Sequence, residues 1–324
     1  MSSSPYHEAV SPAGEGSRDP DLPRGVALAW GVAANPQRGP KRELSIERIV
    51  EAAVEIADAG GLGAVSMASV SASLGFTTMS LYRYVSAKDD LVMLMGEAGF
   101  GTPPEVVREA DGWRDGLRVW SRAQIAMYER HPWLLDIPIT GTPMTPNSLA
   151  WLDAALEVLA DQPLDSEEKL SVALLVMAQT RWQGSIERGY REAARAAGTP
   201  ENDLDLAAAA VLRELITAEE FPYLRVILEH GAFEPGPEDP FAFGLDRVLD
   251  GIERYISLQP ADRVRPTWAA DDSTDNDPKV REATKGVREA EKNLREARKR
   301  ERQARTNARE RERHAREAER NKTR

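Results

Sequence analysis

Between residues 77 and 88 the chain carries Thr77, Thr78, Met79, Ser80, Tyr82, Arg83, Tyr84 and Lys88, a set of hydroxyls and phenols with one guanidinium and one ammonium. Groups of this kind donate to phosphate oxygens and exchange hydrogen bonds with base edges, so the chemistry they suit is recognition of nucleic acid. Charge placement agrees. From Ala59 through Lys88 there is no Asp or Glu, although acids are frequent elsewhere in the chain. A surface that meets a polyanion has to keep carboxylates away, because each one beside a phosphate repels it.

Side chains can read a groove only when a rigid element holds them there. The stretch SMASVSASLGFTTMSLYRYVSAK, residues 66 to 88, contains two short helical patterns that meet across Gly75. A turn that sharp needs a residue tolerant of positive φ, and the close helix crossing needs a small residue one turn earlier, which Ser71 supplies. Val70, Leu74, Phe76 and Leu81 recur so that both helices bury one face, leaving residues 77 to 84 to face outward. This is the spacing of a helix-turn-helix, in which the second helix enters the major groove. An ordinary helical hairpin has the same spacing, and the acid-free window speaks against it. Ser45 predicts the cap of a bracing first helix that carries Ile46, Ile49, Val50, Ala53, Ile56 and Ala57 and stops at Gly60-Gly61. Ser86 to Asp89 reads as a capping box that opens a fourth helix running to about Gly96, with Lys88 in its first turn.

The run from Leu44 to Met95, with its Gly60-Gly61 stop, Leu74-Gly75 turn, Leu81-Tyr82-Arg83-Tyr84 and Ser86-Ala87-Lys88, resembles the DNA-binding domain of TetR-family transcriptional regulators. The resemblance implies that Thr77 to Ser80 read the groove and that Tyr82, Tyr84 and Lys88 hold phosphates. Relatives often carry Arg or Lys at the positions of Met67, Ala68 and Ser69, and this chain has no cation there. Further on, residues 131–135 (His-Pro-Trp-Leu-Leu), 149–153 (Leu-Ala-Trp-Leu-Asp) and 243–247 (Phe-Gly-Leu-Asp-Arg) resemble the C-terminal domain of the tetracycline-repressor branch. The two parts together cover about residues 38 to 258. They imply an all-α, homodimeric protein that binds a double-stranded DNA operator and responds to a small-molecule effector.

Composition bounds the remaining readings. The 324 residues include 41% hydrophobic ones, enough for a core, and no run approaches the roughly 20 apolar residues of a membrane span. No signal peptide is legible, and a cytoplasmic protein without membrane contact is expected. There is no Cys, which removes disulfides, thiolate metal sites and cysteine nucleophiles. His7, His131, His230 and His314 stand apart, without the spacing of metal ligands. Gly60-Gly61-Leu62-Gly63 has no strand before it and no Lys after it, so it is a helix stop and not a phosphate loop. Neither an enzyme, a cofactor nor a metal is expected.

The domain reading follows. Residues 1–37, crowded with Ser, Pro, Gly and Asp, read as a disordered leader. Arg38, Lys41 and Arg42 then suit either an arm that contacts DNA or a solubilising linker. Residues 38–98 form the DNA-binding domain. Residues 111–258 read as a succession of helices serving ligand binding and dimerisation, with long helices from Asp165 and from Pro240 as the dimer interface. Trp133, Trp151, Gln179, Trp182 and Gln183 are the candidate effector contacts, although Trp is also ordinary core filler. Residues 259–278 form an acidic linker. Residues 279–324 form a helical tail with 18 Lys and Arg against 9 Glu, so a net charge of about +9 stands beside −20 on the rest of the chain. Its heptad seam is mostly Ala and makes only a weak coiled coil. That tail reads as a solvated helix, a non-specific DNA contact or a segment docked on the acidic body. The function expected is a sequence-specific DNA-binding regulator, a repressor released from a palindromic operator by its effector. The competing reading is a non-enzymatic helical scaffold that recruits partners through the tail.

Overall fold

The computed structural model describes residues 22–32, 44–139, 141, 144–236, 239–264 and 278–293, with five further positions up to 311. Among them there is no strand, and the chain divides into two compact units, Met1–Ala261 and Asp262–Arg324. No helix among the described residues is long and apolar enough to cross a membrane.

In the first unit, α1 (Arg24–Ala29) precedes a head built from α2 (Ile46–Gly60), α3 (Met67–Leu74), α4 (Thr78–Tyr82) and α5 (Lys88–Phe100). Ser45 caps α2 as expected, its Oγ accepting from the Arg48 N–H at 3.2 Å, and Gly61 ends the helix at φ 76°. Ile49, Ala53, Val70, Leu81, Val85 and Leu91 close the head around one core with at most 0% exposure each. Burying each of the larger ones is worth about 1.5–3 kcal/mol.

The larger domain continues through α6 (Gly112–Arg130), α7 (Pro146–Val158), α8 (Ser166–Ala197), α9 (Glu201–Leu215), α10 (Pro222–Glu229) and α11 (Pro240–Ile256). Asp165 opens the 32-residue α8 with the expected capping box, accepting from the Glu168 N–H while Glu168 accepts from the Asp165 N–H, both at 2.9 Å. The connecting helix α5 is fastened to α7: the Glu97 carboxylate accepts from the Asn147 N–H, and the Asn147 side chain donates back to the Glu97 carbonyl at 2.8 Å. In the second unit, residues 278–293 are helical.

Three expectations change. The leader is not structureless throughout, since α1 lies inside it with Val26 buried. The Gly25 N–H donates to Asp90 Oδ1 at 3.0 Å, and a Cβ at Gly25 would stand 3.0 Å from the Met93 sulfur and 3.2 Å from the Asp90 Cα, so glycine suits the close approach of α1 to α5. Trp30 then donates to the Met144 carbonyl at 2.7 Å. The capping box at Ser86 does not form, because α5 starts at Lys88 with Ala87 at its cap and no side-chain cap bond. Finally, α10 is an additional helix, bounded by Pro222 and Gly231.

Candidate nucleic-acid interface

The reading helix is placed by a chain of local hydrogen bonds. Ser66 and Ser69 cap α3 reciprocally, Ser66 Oγ accepting from the Ser69 N–H at 2.9 Å and Ser69 Oγ from the Ser66 N–H at 2.8 Å. Gly75 then adopts the left-handed conformation at φ 73°, and the Phe76 N–H returns to the Ser71 carbonyl at 2.9 Å. Thr77 caps α4, its Oγ1 accepting from the Ser80 N–H at 3.3 Å. Leu81 is fully buried and anchors α4 from beneath.

This scaffold leaves Thr78, Met79, Tyr82 and Arg83 exposed on one short helix and its following turn. Met79 is 72% and Tyr82 47% exposed, so both are open to a partner outside the chain. Lys88 is exposed in the first turn of α5, while Tyr84 is half-buried against the core and Ser80 half-buried. Among the described residues no carboxylate pairs with Arg83 or Lys88. Thr77 and Ser80 differ from the rest in that their hydroxyls already bond each other at 2.9 Å, so they fix the start of α4 as well as facing out. Met67 is buried, which explains why a cation cannot stand there, and Ser69 is held by its cap. Arg38, Lys41 and Arg42 lie outside the described residues.

The five candidate effector contacts separate. Trp133 is 1% exposed and donates from Nε1 to Asp58 Oδ1 at 2.6 Å, and Trp151, also buried, donates to the carbonyls of Phe100 and Gly101 at 3.1 Å. Gln179 is half-buried against Gly244, and Trp182 is 57% exposed with its ring edge-on to Phe241. Gln183 lines a cavity of about 220 Å³ between α6, α8 and α11, whose wall also includes Arg118, Arg122, Ile125, Asp239 and Asp246. Deeper in the same domain, Gln124 is 3% exposed and its Nε2 has no hydrogen-bond partner among the described residues. Tyr128 is buried one turn further on, and burial pushes its phenol above the ordinary value against the opposing pull of Arg181. Sequence reasoning missed Gln124, Arg118 and Asp246, because their positions depend on helices far apart in the chain. It also missed Asp58, which joins the head to the larger domain by accepting from Trp133 and bonding His131 Nδ1 at 2.8 Å.

Comparison with known proteins agrees with this architecture. Residues 104–256 match the family described as the tetracyclin repressor-like C-terminal domain. The chain is 34% identical over 245 residues to the HTH-type transcriptional repressor DrrR1 of Streptomyces coeruleorubidus, covering 75% of this chain and 90% of that one. It is 29% identical over 158 residues to an HTH-type transcriptional regulator of Saccharopolyspora erythraea, covering 46% and 67%. Among solved structures, ActR of Streptomyces coelicolor superposes without ligand at a TM-score of 0.56 with 21% identity, covering 67% of this chain and 98% of ActR. Its complex with actinorhodin superposes at 0.53 with 22% identity, covering 68% and 100%. At that identity the structures speak for the fold. With the helix-turn-helix in place and a repressor at 34% identity along 90% of its length, this chain belongs to the TetR family of DNA-binding transcriptional regulators.

Proposed function

We propose that the protein is a homodimeric, cytoplasmic repressor without enzymatic activity, released from a palindromic operator when a small molecule enters the larger domain. The observation that carries the reading is the exposed, acid-free surface of Thr78, Met79, Tyr82 and Arg83 on a helix fixed by Gly75 and Leu81. Two such surfaces in a dimer suit half-sites about 34–36 Å apart, or a multiple of that. A second copy suits the exposed stripe of Leu170, Leu174 and Trp182 on α8 together with Phe243 on α11, which are 40–64% exposed in the single chain. Thr77 to Ser80 serve as groove readers in this reading. Tyr82, Tyr84 and Lys88 contact phosphates, and Arg38, Lys41 and Arg42 form a flanking arm.

The effector contacts proposed are Gln183 at the cavity, Gln124, whose Nε2 has no hydrogen-bond partner among the described residues, and the sequence candidate Gln179, while Trp133 and Trp151 serve as core struts and Trp182 belongs to the dimer stripe. A cavity of about 220 Å³ lies below the roughly 300–1,000 Å³ usual for small-molecule sites. A larger effector therefore selects a more open conformer, and that differential affinity is what moves the heads. Selection from random duplexes by the purified protein should recover an inverted repeat. Recovery of unrelated sequences would reject the operator reading.

A further inference from the structure

The C-terminal tail carries a pattern that neither the reading head nor the cavity uses. From Val280 onward the sequence repeats every seven residues, with Arg281, Arg288, Arg295, Arg302, Arg309 and Arg316 each following a seam position. Four residues after each of these stands Lys285, Lys292, Lys299, Thr306, Arg313 or Arg320. Residues spaced alternately four and three apart share one face of a helix, so within the helical residues 278–293 Arg281, Lys285, Arg288 and Lys292 form a single stripe. The same spacing continues in the sequence to Arg320; of its twelve positions eleven are basic and none is acidic, and none of the nine Glu of the tail falls on it. The seam of Val280, Ala283, Val287 and Ala290 runs nearly opposite. Residues 278–293 are helical, and apart from Val280 their side chains are exposed.

We infer that this stripe lies along the phosphate backbone of duplex DNA flanking the operator, an inference that rests on the operator reading above. Charge density decides the partner. The helical residues 281–292 rise about 18 Å at 1.5 Å per residue, and duplex DNA presents about 11 charges over that length. The rest of this chain carries −20 spread over 278 residues, a far weaker counter-surface. An anionic membrane fits poorly, because a seam built mostly of Ala buries too little apolar area to insert.

The head needs such help. From residue 38 to 95 its net charge is −1, so it has little long-range attraction of its own for DNA.

The test uses the full chain with the six stripe arginines from 281 to 316 changed to Gln, and a second chain with the same six changed to Lys. Affinity is measured against salt on four duplexes: the selected operator at minimal length, the operator inside a duplex about three times longer, and unrelated duplexes of both lengths. The wild type should bind the long duplexes more tightly than the short ones. The Gln chain should lose about 10- to 100-fold on the long duplexes near 0.1 M salt, with a log–log salt slope shallower by up to about five. On the minimal operator it should lose less than about threefold, and the Lys chain should behave as wild type. Equal slopes for wild type and Gln chains on the long duplexes overturn the inference, as does tighter binding by the Gln chain, which marks a stripe docked on the protein's own acids. Loss of sequence choice with the length effect intact rejects the operator reading and leaves backbone contact by the stripe standing.

Discussion

The reading helix and the contact between α6 and α11 use the same kinds of side chain in opposite ways. Where α6 meets α11, Arg114 bonds Asp250, Glu253 and the Asp246 carbonyl, and Arg118 bonds Asp246 and Asp115 at 2.7 Å each. Both guanidinium side chains are less than a third exposed. In the head, Arg83 and Lys88 are exposed and no described carboxylate reaches them. The larger domain commits Arg114 and Arg118 to holding one helix against another, while the head leaves Arg83 and Lys88 without a carboxylate partner among the described residues. The acid-free window from Ala59 to Lys88 is therefore a condition of that freedom, since a nearby Asp or Glu would engage Arg83 before a phosphate could.

The largest effect expected from this contrast is in the larger domain. Changing Arg114 and Arg118 together to Ala removes the arginines that pair with Asp246 and leaves Asp250 with Arg247 alone, and should destabilise the fold. In thermal unfolding this appears as a drop of several degrees, with residual operator binding by the folded fraction unchanged. An unaltered Tm would mean that these ion pairs orient α11 without stabilising it. The reciprocal experiment is Arg83→Ala or Lys88→Ala. Each should weaken operator binding by about 1 kcal/mol, roughly five- to tenfold, while unfolding stability stays within about 0.5 kcal/mol of wild type. The loss should be uniform over operator variants for Lys88. If either change lowers Tm as much as affinity, the head's charges are structural too and the contrast breaks.

How much of this was readable beforehand follows the range of each interaction. The cap at Ser45, the turn at Gly75 and the capping box at Asp165 involve partners within a few residues, so sequence alone places them, and the structure shows the same bonds. The head's exposed surface follows from those signals plus periodicity. The helix at Arg24–Ala29 was hidden because its reasons lie 65 residues away, in Asp90, and in the Met144 carbonyl. The spacing from Ser86 to Asp89 shows how a local motif can mislead, since α5 starts at Lys88 with Ala87 at its cap and no side-chain cap bond. The tryptophans were legible as large side chains, and their roles were not. An indole becomes a core strut only when an acceptor such as Asp58 stands opposite, 75 residues off in the chain. The cavity wall formed by Arg118, Gln183 and Asp246 is of the same long-range kind.

Acid titration separates the two regions by a smaller but more specific effect. The hydrogen bond from Arg114, followed by that from Arg247, holds the Asp250 carboxyl below its ordinary value of 3.8. A depressed carboxyl pKa adds stability that is complete above the unfolded value and is lost as pH falls through the folded one, so the window lies below about pH 4. Asp250→Asn removes that ionisation and leaves Arg114 with Glu253. Wild type should therefore exceed the variant in Tm near neutral pH, and the gap should narrow as pH drops from about 5 toward 3. A gap that stays constant across this range would assign the Asp250 contribution to shape rather than charge. Operator binding between about pH 6 and 8 should be the same for both proteins, because Asp250 lies on α11 and bonds none of the proposed DNA contacts.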